Sequence, residues 1–98
     1  MILRIVRMEF EESTIDAFES LFQKFEKQIR HQPGCHGLEL HGDPDHPFVR
    51  YTHSKWESTE HLNAYRYSEL FDVVWPQTKK LFAGRPKAYS LSLIRKVE

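Results

Sequence analysis

The first strand is predicted from a strict alternation of side chains over residues 2–10. One face carries apolar side chains and one arginine, namely Ile2, Arg4, Val6, Met8 and Phe10. The other face mixes apolar and charged side chains, namely Leu3, Ile5, Arg7 and Glu9. Because a strand that is apolar on both faces has to be covered on both faces, the alternation predicts a protein layer on each side of it.

A first helix is predicted between Ser13 and Pro33-Gly34. Its apolar side chains recur at intervals of three and four residues, the spacing of one helical face: Ile15, Phe18, Phe22, Phe25 and Ile29. Ser13 is expected to cap the N-terminus, with Asp16 three residues further on, and Pro33-Gly34 is expected to end the helix. We interpret the aromatic stripe as a core face that packs on the sheet.

Three further strands are predicted. Residues 35–41 and 48–56 form a hairpin, because the segment 42–47 between them consists of turn-forming residue types. Residues 87–96 form the last strand.

A second helical region lies between the hairpin and the last strand. Ser58 is expected to cap it and Ser68 to restart it, with a break or kink at Trp75-Pro76 because proline lacks a backbone donor. Its inward positions are Leu62, Tyr65, Phe71, Val74, Thr78, Leu81 and Phe82. The resulting order βαββαβ, with an antiparallel sheet, predicts an α+β fold on the ferredoxin-like plan.

The amino-acid composition mainly excludes classes of protein and partner. The 98 residues are enough for one domain, spanning residues 1–98. The 14 basic and 14 acidic residues balance, so we expect neither a nucleic-acid partner nor a membrane surface. No apolar stretch approaches the roughly 20 residues of a membrane span. Cys35 is the only cysteine and no secretory signal is recognised, which together predict a cytoplasmic protein.

Six histidines raise the question of a metal site. Four of them recur every five residues, at His31, His36, His41 and His46. His36 and His41 are an odd number of residues apart on one strand and therefore point to opposite faces. No pair of histidines has helical i, i+4 spacing and there is no second cysteine, so no metal is expected.

Cofactor motifs and a reactive cysteine are not supported either. Cys35 and His36 are neighbours on a strand and cannot pair as nucleophile and base, so Cys35 is interpreted as a buried thiol. The chain has no glycine-rich phosphate loop, nucleophile elbow or dinucleotide fingerprint, and no cofactor is expected.

The remaining candidates form an aromatic and basic set around one predicted face of the sheet. The ligand-binding candidates are Arg4, Arg50, Thr52, Trp56, Tyr65 and Trp75. An apolar pocket with a few placed polar groups is what a small planar aromatic molecule requires. Core packing of the two tryptophans and rim salt bridges of the two arginines are the structural alternatives.

The tripeptide Trp56-Glu57-Ser58 joins the third strand to a capped helix, and Pro33-Gly34-Cys35-His36-Gly37 precedes the second strand. This order resembles the antibiotic-biosynthesis-monooxygenase family over nearly the whole chain. The resemblance implies a homodimeric α+β barrel with a cavity between the sheet and the helices of each monomer. It also implies oxidation of quinols or polyketide anthrones by molecular oxygen, without flavin or metal. A haem-degrading branch uses the same cavity.

The motifs, with His61-Leu62 and Ala64 after Ser58, are most similar to the quinol-oxidising branch of that family. The polyketide-oxidising branch has asparagine and tyrosine where this chain has Thr52 and Leu62. Many members have histidine at the position of Tyr65, and the haem-degrading branch has asparagine near the position of Val6. Haem breakdown in that manner is therefore not expected.

Three functional hypotheses follow. The first is a cofactor-independent monooxygenase in which Arg4 or Arg50 stabilises a phenolate, Trp56 and Trp75 form walls and Tyr65 hydrogen-bonds an oxygen. The second is a non-catalytic binding protein for a small hydrophobic metabolite, which the departures from the family pattern favour. The third, an isomerase or mutarotase, requires a histidine-lined cavity, and the aromatic set argues against it.

A homodimer is also predicted from the strand pattern itself. Helices cover one face of a ferredoxin-like sheet, so the other face would present the apolar side chains Leu3, Ile5, Leu91 and Leu93 to water. Exposing such side chains forgoes about 1.5–3 kcal/mol each, and packing two sheets face to face would bury both patches.

Overall fold

Four antiparallel strands and three helices make up the fold, and the structure, a computed structural model, describes residues 1–98. The elements in chain order are β1 (Ile2–Glu9), α1 (Ile15–Arg30), β2 (Cys35–Asp43), β3 (His46–Trp56), α2 (Thr59–Arg66), α3 (Glu69–Lys79) and β4 (Lys87–Ser92). The strand order across the sheet is β2-β3-β1-β4. This arrangement confirms the predicted ferredoxin-like α+β fold. None of the helices is long and apolar enough to cross a membrane.

The register of the sheet decides which side chains share a face. Arg4 of β1 lies opposite Ser54 of β3 and Ser90 of β4, on the face that the helices cover. On the outer face, Ile5 lies opposite His53 and Tyr89 in the same way. Directly opposed residues of an antiparallel pair point to the same side, so the predicted parity of β1 is confirmed.

The core consists of two clusters on the helix-covered side of the sheet. The larger contains Met8, Phe10, Ile15 and Phe18, and the smaller contains Cys35, Trp56 and Leu62. Trp56 is completely buried. Only part of the predicted α1 stripe is fully buried, because Phe22 and Phe25 keep some exposure to solvent.

The start of α1 differs from the prediction. Thr14, not Ser13, is the N-cap residue, and its side chain makes no capping hydrogen bond. The Thr14 hydroxyl instead accepts a hydrogen bond from the Glu11 backbone N–H (3.0 Å) and donates one to the Leu81 carbonyl (2.8 Å). It therefore ties the turn before α1 to the segment after α3. The other two predicted caps are confirmed, since Ser58 and Ser68 accept hydrogen bonds from the third residue after each.

Of the break or kink predicted at Trp75-Pro76, the break is wrong, because α3 continues through Pro76. Because Pro76 has no N–H, the carbonyl four residues earlier, that of Asp72, loses its helical donor. Thr78 Oγ1 donates to the Val74 carbonyl and Gln77 Nε2 donates to the Val73 carbonyl, both at 2.8 Å. These side-chain bonds go to carbonyls in the turn around Pro76, one and two residues after Asp72.

Four strand boundaries also differ from the prediction, and the first is the end of β1, at Glu9 and not at Phe10. Asp43 and His46 already pair across the hairpin, so the turn contains only Pro44 and Asp45. The last strand ends at Ser92, and the residues beyond it are exposed.

Candidate functional site

A cavity of about 240 Å³ lies between the sheet and the helices. Most of its wall is apolar, and its polar lining comes from a few side chains that converge from different elements. Those polar residues are Arg4, Thr52, Ser54, Tyr65, Arg66 and Thr78. An apolar enclosure with a few convergent polar groups is the usual character of a small-molecule site.

One wall of the cavity is built from aromatic rings of the two later helices. Tyr65 meets Phe71 edge-on at 5.3 Å between ring centroids, and Phe71 stacks on Trp75 at 5.8 Å. Ring faces and edges at such distances attract one another through their quadrupoles. The three rings therefore form one contiguous aromatic wall, in which the Phe71 and Trp75 rings are within 17° of parallel and the Tyr65 ring stands at 83° to that of Phe71.

Trp56 supports this wall from behind and does not line the cavity. Its indole ring stacks on Tyr65 at 5.1 Å, with 17° between the ring planes. The indole N–H donates to Ser54 Oγ at 2.9 Å, so its polar atom is satisfied within the core. Trp56 thus fixes the position of Tyr65, while Tyr65 faces the cavity.

Two arginines bring positive charge to the cavity. Arg4 projects from β1 and donates to Ser90 Oγ at 2.9 Å, and Arg66 comes from the end of α2. Neither guanidinium takes part in an ion pair with a carboxylate. Partial burial, together with the charge of Arg66, lowers the pKa of Arg4 from its usual value. Arginine nevertheless stays charged in proteins, so the cavity presents unneutralised positive charge.

Tyr65 is a proton donor in this setting. Burial raises the pKa of Tyr65 to about 12, with a smaller effect from Cys35. At neutral pH the phenol is therefore protonated and can donate a hydrogen bond to a ligand oxygen.

The cavity wall has no general base of the usual kind. None of its lining residues is histidine, aspartate or glutamate. Among the hydroxyl groups, Thr78 is already engaged with the carbonyl of Val74. The site can therefore orient and stabilise an anion, but it does not supply a side chain that would readily take a proton at neutral pH.

The sequence-based candidates fall into two groups. Arg4, Thr52, Tyr65 and Trp75 line the cavity, whereas Trp56 lies behind it and Arg50 lies outside it. The Arg50 guanidinium pairs with Glu19 of α1 at 2.9 Å. It borders a larger open groove of about 780 Å³ between α1 and β2, whose lining is mostly polar and charged.

Arg66 is a cavity residue that the sequence-based set did not include. The signal was present, because Leu62, Tyr65 and Arg66 follow an i, i+3, i+4 pattern that puts them on one face of α2. The inward positions predicted for this helix were the apolar Leu62 and the aromatic Tyr65, and Arg66 lies beside them.

The motif before β2 packs against the motif after β3. Gly34 has a positive φ of 80°, and a Cβ at this position would lie 2.3 Å from the His61 ring. The Glu57 N–H donates to the Gly34 carbonyl at 2.8 Å. Only glycine combines this backbone conformation with such a close approach, and the contact sets the start of α2 against the sheet.

The fold and the cavity define the class of protein: a ferredoxin-like α+β domain with a ligand-sized apolar cavity between sheet and helices. Residues 1–74 match the family model described as antibiotic biosynthesis monooxygenase. The chain therefore belongs to the antibiotic biosynthesis monooxygenase family.

Solved structures agree with the fold. The chain is similar to an antibiotic biosynthesis monooxygenase at 17% identity and a TM-score of 0.89, covering 97% of this chain and 100% of that one. It is similar to a candidate antibiotic biosynthesis monooxygenase from Deinococcus radiodurans at 11% identity, 100% and 97% coverage and a TM-score of 0.91. It is also similar to a candidate antibiotic biosynthesis monooxygenase from Nitrosomonas europaea at 14% identity and a TM-score of 0.88, covering 97% of this chain and 100% of that one. No curated protein matches the chain.

Proposed function

We propose that the protein is a cofactor-independent monooxygenase that oxidises a small electron-rich aromatic molecule, of the quinol or anthrone type, with molecular oxygen. Family membership supports the reaction class. The observation that carries the proposal is the pair of arginines, Arg4 and Arg66, without carboxylate partners at a cavity walled by aromatic rings.

The positive charge favours the ionised form of a phenolic substrate. An opposite charge nearby lowers the pKa of a bound acid, and a phenolate or carbanion gives up electrons to oxygen far more readily than the neutral acid does. Arg4 and Arg66 would stabilise the anion, and the Tyr65 phenol would donate to a second oxygen. The ring wall of Phe71 and Trp75 would hold the substrate flat.

The chemistry balances without a cofactor. For an anthrone, the methylene carbon loses two hydrogens and gains one oxygen atom of O₂ as a carbonyl. The other oxygen atom leaves as water, and the substrate itself supplies all four electrons. The protein contributes charge, orientation and exclusion of bulk water.

Because the cavity wall has no acid–base side chain, the proton acceptor in this mechanism would be solvent and not the protein. The substrate would lose its proton to solvent on binding, and the arginines would make that loss easier. The pH dependence of the reaction would then follow the pKa of the bound substrate and not that of a protein side chain.

The same absence favours a second candidate function, a non-catalytic binding protein for a small aromatic anion. The two candidates are separated by oxygen uptake measured over naphthohydroquinones and anthrones, with the autoxidation rate subtracted. A monooxygenase raises the rate, and Arg4→Gln lowers it, whereas Arg95→Gln in the exposed C-terminal segment leaves it unchanged. No acceleration over the whole panel would overturn the proposal. Thermal stabilisation by compounds that are not consumed would support the binding protein.

We also propose that the chain forms a homodimer through the outer face of the sheet. Apolar side chains are partly or largely exposed there, at Leu3, Ile5, Tyr89 and Leu91. Beyond β4, Leu93, Ile94 and Val97 are exposed as well. Arg7 and Glu9 on this face pair at 2.8 Å, so burying them together does not leave either charge alone.

We place the protein in the cytoplasm. The free thiol of Cys35 fits the reducing conditions of that compartment.

A further inference from the structure

Glu39, His41 and His53 lie together on the outer face of the sheet, with the sheet between them and the cavity. One ligand atom from each side chain lies within 4.8 Å of the other two. Glu39 Oε1 and His41 Nε2 are 2.9 Å apart, and the rings of His41 and His53 have their centroids 4.5 Å apart.

The hairpin register brings the three side chains together. Glu39 and His41 are two residues apart on β2 and therefore point to the same side. His53 of β3 lies directly opposite Glu39 in the ladder. Because both strands are held by backbone hydrogen bonds, the three Cβ atoms are fixed and only side-chain rotations remain free.

We propose that Glu39, His41 and His53 bind a divalent first-row transition-metal ion. Two imidazoles and one carboxylate are the donor set that zinc and its neighbours prefer over magnesium or calcium. With metal–ligand bonds of roughly 2.0–2.2 Å, the ligand atoms of a tetrahedral site lie about 3.3–3.5 Å apart. The separations in this cluster, from 2.9 Å to at most 4.8 Å, bracket that value, and small side-chain rotations close the site.

In the single chain, Glu39 and His41 are open to an ion from solvent, and His53 is half-buried. The side chains of His41 and Glu39 are 49% and 68% exposed, so the remaining coordination positions can be filled by water. Lys55 lies on the same face, two residues beyond His53, and its charge acts on Glu39. The Lys55 ammonium therefore competes with a metal ion for the Glu39 carboxylate. The site spans β2 and β3, and His53 lies directly opposite Ile5, so the cluster borders the apolar residues of the proposed dimer contact on β1 and β4.

The alternative is an ordinary surface pair between Glu39 and His41 with no ion bound. Calorimetric titration of chelator-treated protein with zinc chloride separates the two. We expect one zinc ion per chain, and we expect His41→Asn and His53→Asn each to weaken binding at least tenfold. Glu39→Gln should also weaken it, while Lys55→Gln should leave it equal or tighter.

The matched control is His46→Asn, on the same hairpin, where His46 pairs with Asp43 outside the cluster. It should bind zinc as the unmodified chain does. Cobalt(II) added to the unmodified protein should give a visible ligand-field spectrum that the His53→Asn variant lacks. Less than one ion per chain, or equal binding by the His53→Asn and His46→Asn variants, would overturn the proposal. The experiment needs no catalytic readout, so it stands apart from the proposed oxidation.

Discussion

The indole ring of Trp56 stacks on the phenol ring of Tyr65, with 5.1 Å between centroids and 17° between planes. Trp56 ends the third strand and Tyr65 belongs to the following helix, so the stack joins sheet to helix at the cavity wall. The indole is fully buried, and the phenol is the ring of the pair that faces the cavity. This division explains why the tryptophan of the motif supports the site without lining it.

Arg4 and Arg50 differ in position, and the proposed site predicts different consequences of replacing them. Arg4→Gln should weaken binding of an aromatic anion about tenfold or more, because a hydrogen bond to a charged group contributes about 1.5–3 kcal/mol. Arg50→Gln should leave affinity unchanged, since Arg50 pairs with Glu19 outside the cavity. Fluorescence titration with a hydroxynaphthoate checks both variants. A loss for Arg50→Gln without one for Arg4→Gln would mean that the ligand binds in the α1–β2 groove.

Tyr65 should make stability depend on pH in alkaline solution. Burial raises its pKa to about 12 from 10.0, so between these values the folded state keeps a proton that the unfolded state has lost. Its contribution to the free energy of unfolding is intact below pH 10 and declines as the pH rises toward 12. Urea unfolding across this range should show a shallower decline for Tyr65→Phe. Tyr67→Phe, at an exposed tyrosine, should follow the unmodified protein, and parallel curves for all three would contradict the burial of Tyr65.

Gly34 and Gly37 offer a test of the contact between the two motifs. Gly34→Ala should lower the free energy of unfolding by at least about 2 kcal/mol, because the methyl group meets the His61 ring at a positive φ. Gly37→Ala should change it little, since the nearest atom would be a Lys55 side-chain carbon at 3.6 Å. Chemical denaturation of both variants measures the difference. Similar losses of unfolding free energy in the two variants would contradict the close contact between Gly34 and the His61 ring.

Phe18 and Phe22 lie on the same stripe of α1 but differ in burial. Phe18 is 3% exposed and stacks on Phe10, so Phe18→Ala should cost about 3–5 kcal/mol of unfolding free energy. Both side chains border the cavity, but Phe22 is only partly buried, so Phe22→Ala should cost clearly less. The difference is measured by denaturant unfolding. A larger loss at Phe22 would mean that the cavity side of α1 is packed more tightly than its exposure indicates.

Leu91 and Val73 are equally exposed apolar residues on different surfaces, at 49% and 48%. Leu91 lies on the outer face of the sheet and Val73 on α3. Light scattering of the unmodified protein should give about twice the mass of 11.7 kDa. Leu91→Lys should lower the mass toward that of the monomer, because it places a charge in the proposed contact, and Val73→Lys should not. A monomeric unmodified protein would contradict the dimer.

The sequence by itself determined the elements and the parity of their faces. Alternation in residues 2–10 separated the inner from the outer face of β1, and the three- and four-residue spacing located α1. These signals are local, since strand and helix geometry fix the direction of each side chain from its neighbours in the chain. The serine caps of α2 and α3 were predictable for the same reason.

The tertiary structure alone decided which residues from different elements meet. The register of β1, β3 and β4 and the packing of α2 placed Arg66 near Arg4 and left Arg50 with Glu19. The hairpin register put His53 beside His41, which spacing within one strand does not reveal. Strand register and helix docking depend on contacts distant in sequence, so no local pattern encodes them.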